Sequence, residues 1–390
     1  MAAASALAAP ASYAKSFTPS PIPITGTALP GMSAWDTAAE RVMARQGIAG
    51  AALEVAYDGR ILLEQGLGYA DVATHQLAES GDRFRLASMT KALTAEAITQ
   101  LIKRHKLTLT TEPFRTVLGR LRAVRGKKPA DKRVDDITIK DLMTFYSGWD
   151  NTKIGFDPTL TPSKLEPSLR IHTAPTCTQV IEYMLGRRLN YAPGTHYAYA
   201  NLDYCVLGQV VAEEMHTSYA KAMQRLLFGP LGMTHTTESL NPPSRLLPDE
   251  VHYYGQPPYD TGSSSPGRLP LVGVLGAAGV VSTVQDLMRF VVISAGVVPG
   301  SRPWYDPEPG DSLQPYPLIP GGDLQWEIDG SLPGTTTSFG QYESDGQEVD
   351  YVFLGNSRNP NLTPDNTPFF DVAEAQQSWP SGNLAQPPLP

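Results

Sequence analysis

Apolar positions recur at helical spacing from Ser33 to Gln46, with Trp35, Ala39, Val42 and Met43 on one stripe, and predict an amphipathic helix. The next run changes period. Ala51–Tyr57 and Arg60–Gln65 read as two strands joined by a tight Asp58-Gly59 turn. From about Met89 to His105 helical spacing returns, with Leu93, Ala97, Ile98, Leu101 and Ile102 on the face to be buried. Helical signals at Ile139–Phe145, Thr178–Leu185, Asp203–Met215 and Tyr219–Leu227 then dominate to about residue 270. Strand character reappears late: Gly334–Tyr342, an Asp345-Gly346 turn and Glu348–Leu354 form a second hairpin, followed by a helix from about Pro364 to Gln377.

Strands at both ends with a helical middle predict an α+β fold: an antiparallel sheet built from both termini, flanked by helices, with an inserted all-helical lobe. The expected divisions are an irregular N-terminal arm (1–32), an α/β domain (33–105 and 271–379), the helical lobe (106–270) and a Pro-rich tail (380–390). No internal repeat is present.

Composition narrows the function classes. Of 390 residues 41% are hydrophobic and 18% charged, enough apolar content for a substantial core. A net charge of −8 argues against nucleic-acid binding. The longest apolar run, Leu269 to Val281, is broken by Pro270 and three glycines and is too short to span a bilayer, which takes ~20 residues. The basic stretch from Arg115 to Arg133 reads as a solvated loop in preference to a docking patch. Two cysteines, Cys177 and Cys205, exclude a Cys-based metal site; one bridge and two buried thiols are equally open. The N-terminal Met1–Ala14 is small and apolar and contains Ala9-Pro10-Ala11, but no Lys or Arg precedes Lys15. A secreted or periplasmic location is favoured over a cytoplasmic one.

Several catalytic patterns are missing. There is no G-x-S-x-G, no H-E-x-x-H and no i, i+4 pair among the 7 histidines, so no metal site is expected. Gly66-Leu-Gly68-Tyr-Ala-Asp71 has Asp71 where a dinucleotide site has its third glycine and reads as a strand exit, so no cofactor is expected. What remains is S-x-x-K. Ser and Lys three apart at a helix start share one face, the lysine can serve as base, and the serine N–H can face a developing oxyanion. The pattern occurs at Ser12/Lys15, Ser88/Lys91 and Ser218/Lys221. The first lies in the N-terminal arm and the third is expected inside a helix, where a serine has no free N–H. Only Ser88-Met-Thr-Lys91 follows a strand and opens an amphipathic helix.

Phe84-Arg-Leu-Ala-Ser88-Met-Thr-Lys91 resembles the nucleophile segment of the serine β-lactamase and penicillin-binding protein family, in its class C β-lactamase-like branch of carboxylesterases and D-amino peptidases. Further segments resemble it in family order: Ile137–Gly148, Tyr191–Gly208 with the chain's single Y-x-N (Tyr199-Ala-Asn201), Gly229–Thr237, Gly279–Leu287, and Gly330-Ser-Leu-Pro-Gly334. The resemblance implies a fold with the active site between sheet and helical lobe, Ser88 as acylated nucleophile, Lys91 as base and Tyr199 as proton relay to the leaving group. Asn201 would bond Lys91 or a substrate amide, and the N–H groups of Ser88 and Ser331 would form the oxyanion hole.

One motif departs. Where the family carries K-[ST]-G or H-x-G, this chain reads Ile328-Asp329-Gly330, and Phe145 stands in place of a histidine. Without that cation a substrate carboxylate loses a charge-assisted contact of ~1.5–3 kcal/mol. The expectation is a serine hydrolase on small esters, lactones or amides lacking a free carboxylate, with Ile328 and Gly330 lining the substrate site. The alternatives are a β-lactamase or D-Ala-D-Ala carboxypeptidase/D-aminopeptidase, and a non-catalytic binding relative. The expected partner is a small-molecule substrate; the oligomeric state is open.

Overall fold

The structure, a computed structural model, describes residues 21–238, 246–255, 269, 271–294, 324–344, 346–362 and 365–385. Ser12/Lys15, the Ala9-Pro10-Ala11 segment, Asp345 and Pro364 lie outside them. The strands are β1 (Ile24–Ala28), β2 (Gly50–Tyr57), β3 (Arg60–Asp71), β4 (Gln76–Leu77), β5 (Phe84–Arg85), β6 (Thr237–Glu238), β7 (Val280–Ser282), β8 (Leu324–Leu332), β9 (Thr335–Ser344) and β10 (Gln347–Gly355). The helices are α1 (Ser33–Gln46), α2 (Thr90–Lys103), α3 (Ile139–Met143), α4 (Asn151–Ile154), α5 (Pro162–Leu169), α6 (Cys177–Leu185), α7 (Asn201–Glu214), α8 (Tyr219–Met223), α9 (Leu275–Ala278), α10 (Val284–Ser294) and α11 (Thr367–Ala375).

A seven-stranded antiparallel sheet runs β1-β3-β2-β10-β9-β8, with β4 joined to β3. The two ends of the chain meet at β2–β10, where Val55 faces Tyr351. Strand β2 is buried along its whole length because helices cover both sheet faces. On one face Leu53, Val55, Tyr351 and Phe353 pack with Trp35 and Met43 of α1 and Phe369 and Phe370 of α11. On the other, Ala52, Ala56, Val352 and Leu354 join the larger core of α2, α7 and α10. This is the antiparallel α+β architecture expected of the pattern.

Two local expectations need correction. The arm 1–32 is not irregular throughout, since β1 pairs Ile24–Ala28 with Leu63–Leu67. Its Ile-Thr-Gly-Thr-Ala sequence is held by backbone hydrogen bonds at a sheet edge, so it shows little hydrophobic alternation. Gly66 and Gly68 lie in the last half of β3, which ends at Asp71 in keeping with the strand exit read at Gly66–Asp71; a Cβ on Gly66 would sit 2.1 Å from Ala78 O. Ser218 is not inside a helix. It caps α8, its hydroxyl accepting from Lys221 N at 3.4 Å, and both residues are exposed, so this serine–lysine pair has no enclosed site.

The Pro-rich tail docks through residue 385. Arg60 Nη1 donates to Pro380 O at 2.7 Å, and Leu384 N to Ile61 O at 2.8 Å. In the basic stretch, Arg115 pairs with Glu112 and Asp136, Arg120 with Glu213, and Arg133 with Asp131, so three of its eight basic residues are paired within the chain. Among the described residues no helix is long and apolar enough to cross a membrane, and no group of acidic, His and Cys side chains could hold a metal.

Cys177 opens α6 and Cys205 lies in the second turn of α7; they are disulfide-bonded, with Cα atoms 5.6 Å apart. The bond ties α6 to α7 one turn beyond Asn201. Closing a loop with sequence separation 28 stabilises the fold by about 3–4 kcal/mol through the unfolded chain. Cys177→Ala/Cys205→Ala should therefore lower the folding free energy by that amount in a denaturant titration. Freshly isolated protein, denatured without reductant, should show no free thiol.

Several carboxyls are buried. Glu54, opposite Glu64 across β2–β3, is held well above its usual range by burial and by that like charge. Burial also raises Asp82 to about 6 and Glu238 to about 7. A folded-state value above the unfolded one means the folded chain holds the proton more tightly. The associated stability is complete below the unfolded value of about 4 and is lost as pH rises through about 6 and 7. Thermal unfolding should occur at a lower temperature at pH 8 than at pH 5; the opposite order would contradict these assignments.

Candidate active site

The turn that carries Ser88 is fixed from both sides. Leu86 N donates to Val280 O of β7 at 2.9 Å, and Thr337 Oγ1 of β9 donates to Leu86 O at 2.9 Å. Ala87 adopts a left-handed φ of +48°, sparsely populated by non-glycine residues, and turns the chain sharply from β5 into a short 3-10 turn at Ala87–Met89 that leads into α2. Strand β8 presses on this turn at Gly330. A Cβ there would lie 2.4 Å from Leu86 O and 3.1 Å from the Ala87 Cβ, so glycine permits the close approach. The next residue, Ser331, thus belongs to the strand lying against Ser88.

Helix α2 is buried on all sides from Thr90 to Ile98, not on one stripe, because helices α7 and α9 and the turns at Ala87–Met89 and Gln224–Phe228 pack around it. Lys91, one turn beyond Ser88, is nearly fully buried and yet fully partnered. Its Nζ donates to Asn201 Oδ1 at 2.7 Å, to Ala277 O at 3.0 Å and to Ser88 Oγ at 3.2 Å. These three acceptors offset the cost of burying an ammonium group.

Tyr199 arrives from the opposite wall, two residues before α7. Its Oη is 2.8 Å from Ser88 Oγ, and the Lys91 ammonium lies 4.9 Å from its ring centroid. The connection carrying Tyr199 is braced by the segment after α3: Ala198 N donates to Phe145 O at 2.9 Å and Gly194 N to Tyr146 O at 2.8 Å. Phe145 itself, at φ +62°, packs its ring 4.7 Å from that of Tyr199. An apolar wall therefore occupies the place where the resemblance led one to look for a histidine.

The structure thus brings Ser88, Lys91, Tyr199 and Asn201 into one hydrogen-bonded group, with Gly330 and Ser331 on the adjoining strand. Ile328 sits in β8 and packs against the larger core, while Asp329 beside it is exposed. Desolvation raises the Asp329 carboxyl, against its backbone hydrogen bond and the charge of Lys91.

Two acidic residues escaped the sequence reading. Asp203, on α7, is fully buried and accepts from Ser147 Oγ at 2.7 Å; burial raises its carboxyl well above the usual range, against the pull of Ser147 and Lys91. Its spacing two residues after Asn201 was the available signal. Asp157, between α4 and α5, accepts from Asn201 Nδ2 at 2.9 Å. No sequence signal links positions 157 and 201.

An activated serine on a turn before a buried helix, a lysine one helical turn on and a tyrosine from the facing loop, all against an antiparallel sheet, define the class of β-lactamase and penicillin-binding folds. The chain belongs to the Beta-lactamase family, which it matches over residues 35–315. Among curated proteins it is 29% identical over 206 residues to Protein flp of Staphylococcus aureus, covering 53% of this chain but 38% of that protein's length. Among solved structures it is similar to the D-amino acid amidase of Ochrobactrum anthropi, with TM-score 0.66, 19% identity and coverage of 88% of this chain and 98% of that one. It is also similar to EstCE1, a hydrolase with promiscuous acyltransferase activity, with TM-score 0.58, 17% identity and coverage of 86% and 96%. A penicillin-binding protein from Bacillus halodurans superposes with TM-score 0.60 at 18% identity, covering 86% of this chain and 98% of that one. At these identities the structural likeness establishes the fold.

Proposed function

We propose that this protein is a serine hydrolase acting through an acyl-enzyme on Ser88. The observation that carries the reading is the triangle in which Ser88 Oγ lies 2.8 Å from Tyr199 Oη and 3.2 Å from Lys91 Nζ, within reach for proton transfer. In this reading Tyr199 acts as a phenolate held beside the Lys91 ammonium: Ser88 Oγ bonds to the substrate carbonyl carbon while its proton passes to Tyr199 Oη. The carbonyl oxygen, now anionic, is met by the N–H groups of Ser88 and Ser331. Collapse breaks the bond to the leaving group, which takes a proton from Tyr199. Water then attacks the acyl carbon, its proton returning through the same pair, and frees Ser88.

The substrates best suited to this site are small esters, lactones or amides without a free carboxylate. Ile328 offers no charge, so a carboxylate entering beside β8 would be desolvated without a partner. D-amino acid amides, the substrates named by one structural relative, fall within this range. Acyl transfer to an alcohol or amine falls within it too. The Cys177–Cys205 bridge favours residence in an oxidising compartment, secreted or periplasmic.

A panel of p-nitrophenyl esters, D-amino acid amides, nitrocefin and D-Ala-terminated peptides tests the reading. Neutral esters or amides should be turned over at least tenfold better, by kcat/KM, than the carboxylate-bearing compounds. Ile328→His should narrow that gap, chiefly through KM, because the restored contact is made in the ground state. Equal efficiency on penicillin-type substrates in the unaltered protein would show that another residue supplies the cation.

A further inference from the structure

We propose that Asp157 is a positioning residue that fixes which end of the Asn201 amide faces Lys91. This rests on the reading of Lys91 and Asn201 just given. An asparagine side chain has an accepting end and a donating end of nearly the same shape. Rotated by half a turn, Asn201 would point its NH2 group at the Lys91 ammonium, a donor against a donor.

The arrangement around Asp157 forbids that rotation. Its Oδ2 accepts from Asn201 Nδ2 at 2.9 Å and from Asn151 Nδ2, on the first residue of α4, at 3.2 Å. Its Oδ1 accepts from Thr159 N at 2.8 Å and Thr159 Oγ1 at 2.5 Å. An ionised carboxylate only accepts, so the Asn201 NH2 must face it and Asn201 Oδ1 must face Lys91, 2.7 Å away. Tyr199 Oη also lies 3.5 Å from that same Oδ1. Asn201 is almost fully buried, and water is a poor substitute for the missing orienting partner. Asp157 thus reaches across from the α4–α5 connection to set the hydrogen-bond polarity under the lysine without touching substrate or Ser88.

The experiment measures turnover of a p-nitrophenyl ester, and the labelling rate of a fluorophosphonate probe, in a mutant cycle. Asp157→Ala should lower kcat by about ten- to a hundredfold with KM changed less than threefold. Asp157→Asn keeps its amide oxygen toward the two Thr159 donors and so turns its NH2 toward the Asn201 NH2, and should recover little of that loss. Asp157→Ala added to Asn201→Ala should cost no more than Asn201→Ala alone, since there is no longer an amide to orient. A polarity swap provides the second arm. Asn201→Asp should be strongly impaired by facing Asp157. Adding Asp157→Asn in that background should restore at least tenfold, because the amide introduced at position 157 then donates to the carboxylate introduced at position 201. This arm decides the matter by itself should Asp157→Ala fail to fold. Multiplying losses in the Ala cycle, or no restoration by the swap, would overturn the role of Asp157 while leaving the hydrolase reading intact. No turnover and no labelling in the unaltered protein would overturn both.

Discussion

Ser88→Ala is expected to reduce ester turnover to the background rate while leaving the unfolding midpoint within about 1 kcal/mol of the unaltered protein. The magnitude follows from the mechanism. Without Oγ no covalent intermediate can form, and what survives is only the catalysis that binding and the oxyanion donors give to direct attack by water, which in serine hydrolases leaves losses of about 10^6 in kcat. The neutral effect on stability follows from the site. Ser88 is half-buried, its hydroxyl is engaged by Lys91 and Tyr199 rather than by the core, and the turn is held by Leu86, Thr337 and Val280 through backbone atoms and a neighbouring hydroxyl. Turnover by Ser88→Ala at a tenth or more of the normal rate would remove Ser88 from the mechanism.

The second large effect concerns the pair that handles the proton. Lys91→Ala and Tyr199→Phe should each lower kcat by about three powers of ten or more, and the double variant should be little worse than the poorer single one. The geometry requires this non-additivity. Ser88 Oγ touches both groups, and Lys91 lies under the Tyr199 ring, so either deletion interrupts the same route. Tyr199→Phe is the cleaner variant, because Phe145 continues to pack against the ring and only the hydroxyl is removed. Lys91→Ala leaves Asn201 Oδ1 and Ala277 O without their donor and should also lower stability. Independent, multiplying losses would assign the two residues to different steps.

Much of the fold was legible because it is written in periodicity. The helix at Ser33–Gln46, the hairpin around Asp58-Gly59 and the late hairpin around Gly346 follow hydrophobic alternation or glycine turns, and each is present. Strand β1 escaped because an edge strand half in solvent is defined by its backbone partners in β3, which no local pattern announces. The setting of Ser88 was legible in part: a strand and a buried helix flank it, but the left-handed Ala87 and the squeeze against Gly330 are tertiary facts. Asn201 was visible as part of Y-x-N, whereas Asp157 was not, since what joins them is a hydrogen bond across 44 positions. The cysteines could be counted but not paired until α6 and α7 were seen side by side. Ile328 was legible as an absence. Only the structure shows that it packs against the larger core.

The most direct test of the acyl-enzyme is intact-protein mass spectrometry after brief exposure to a slowly hydrolysed ester, followed by peptide mapping. The expected result is one added acyl group, located on the peptide containing Ser88, appearing faster than product release and absent from Ser88→Ala. Turnover of the same ester with no adduct, or with the acyl group on any other residue, would contradict the acyl-enzyme mechanism.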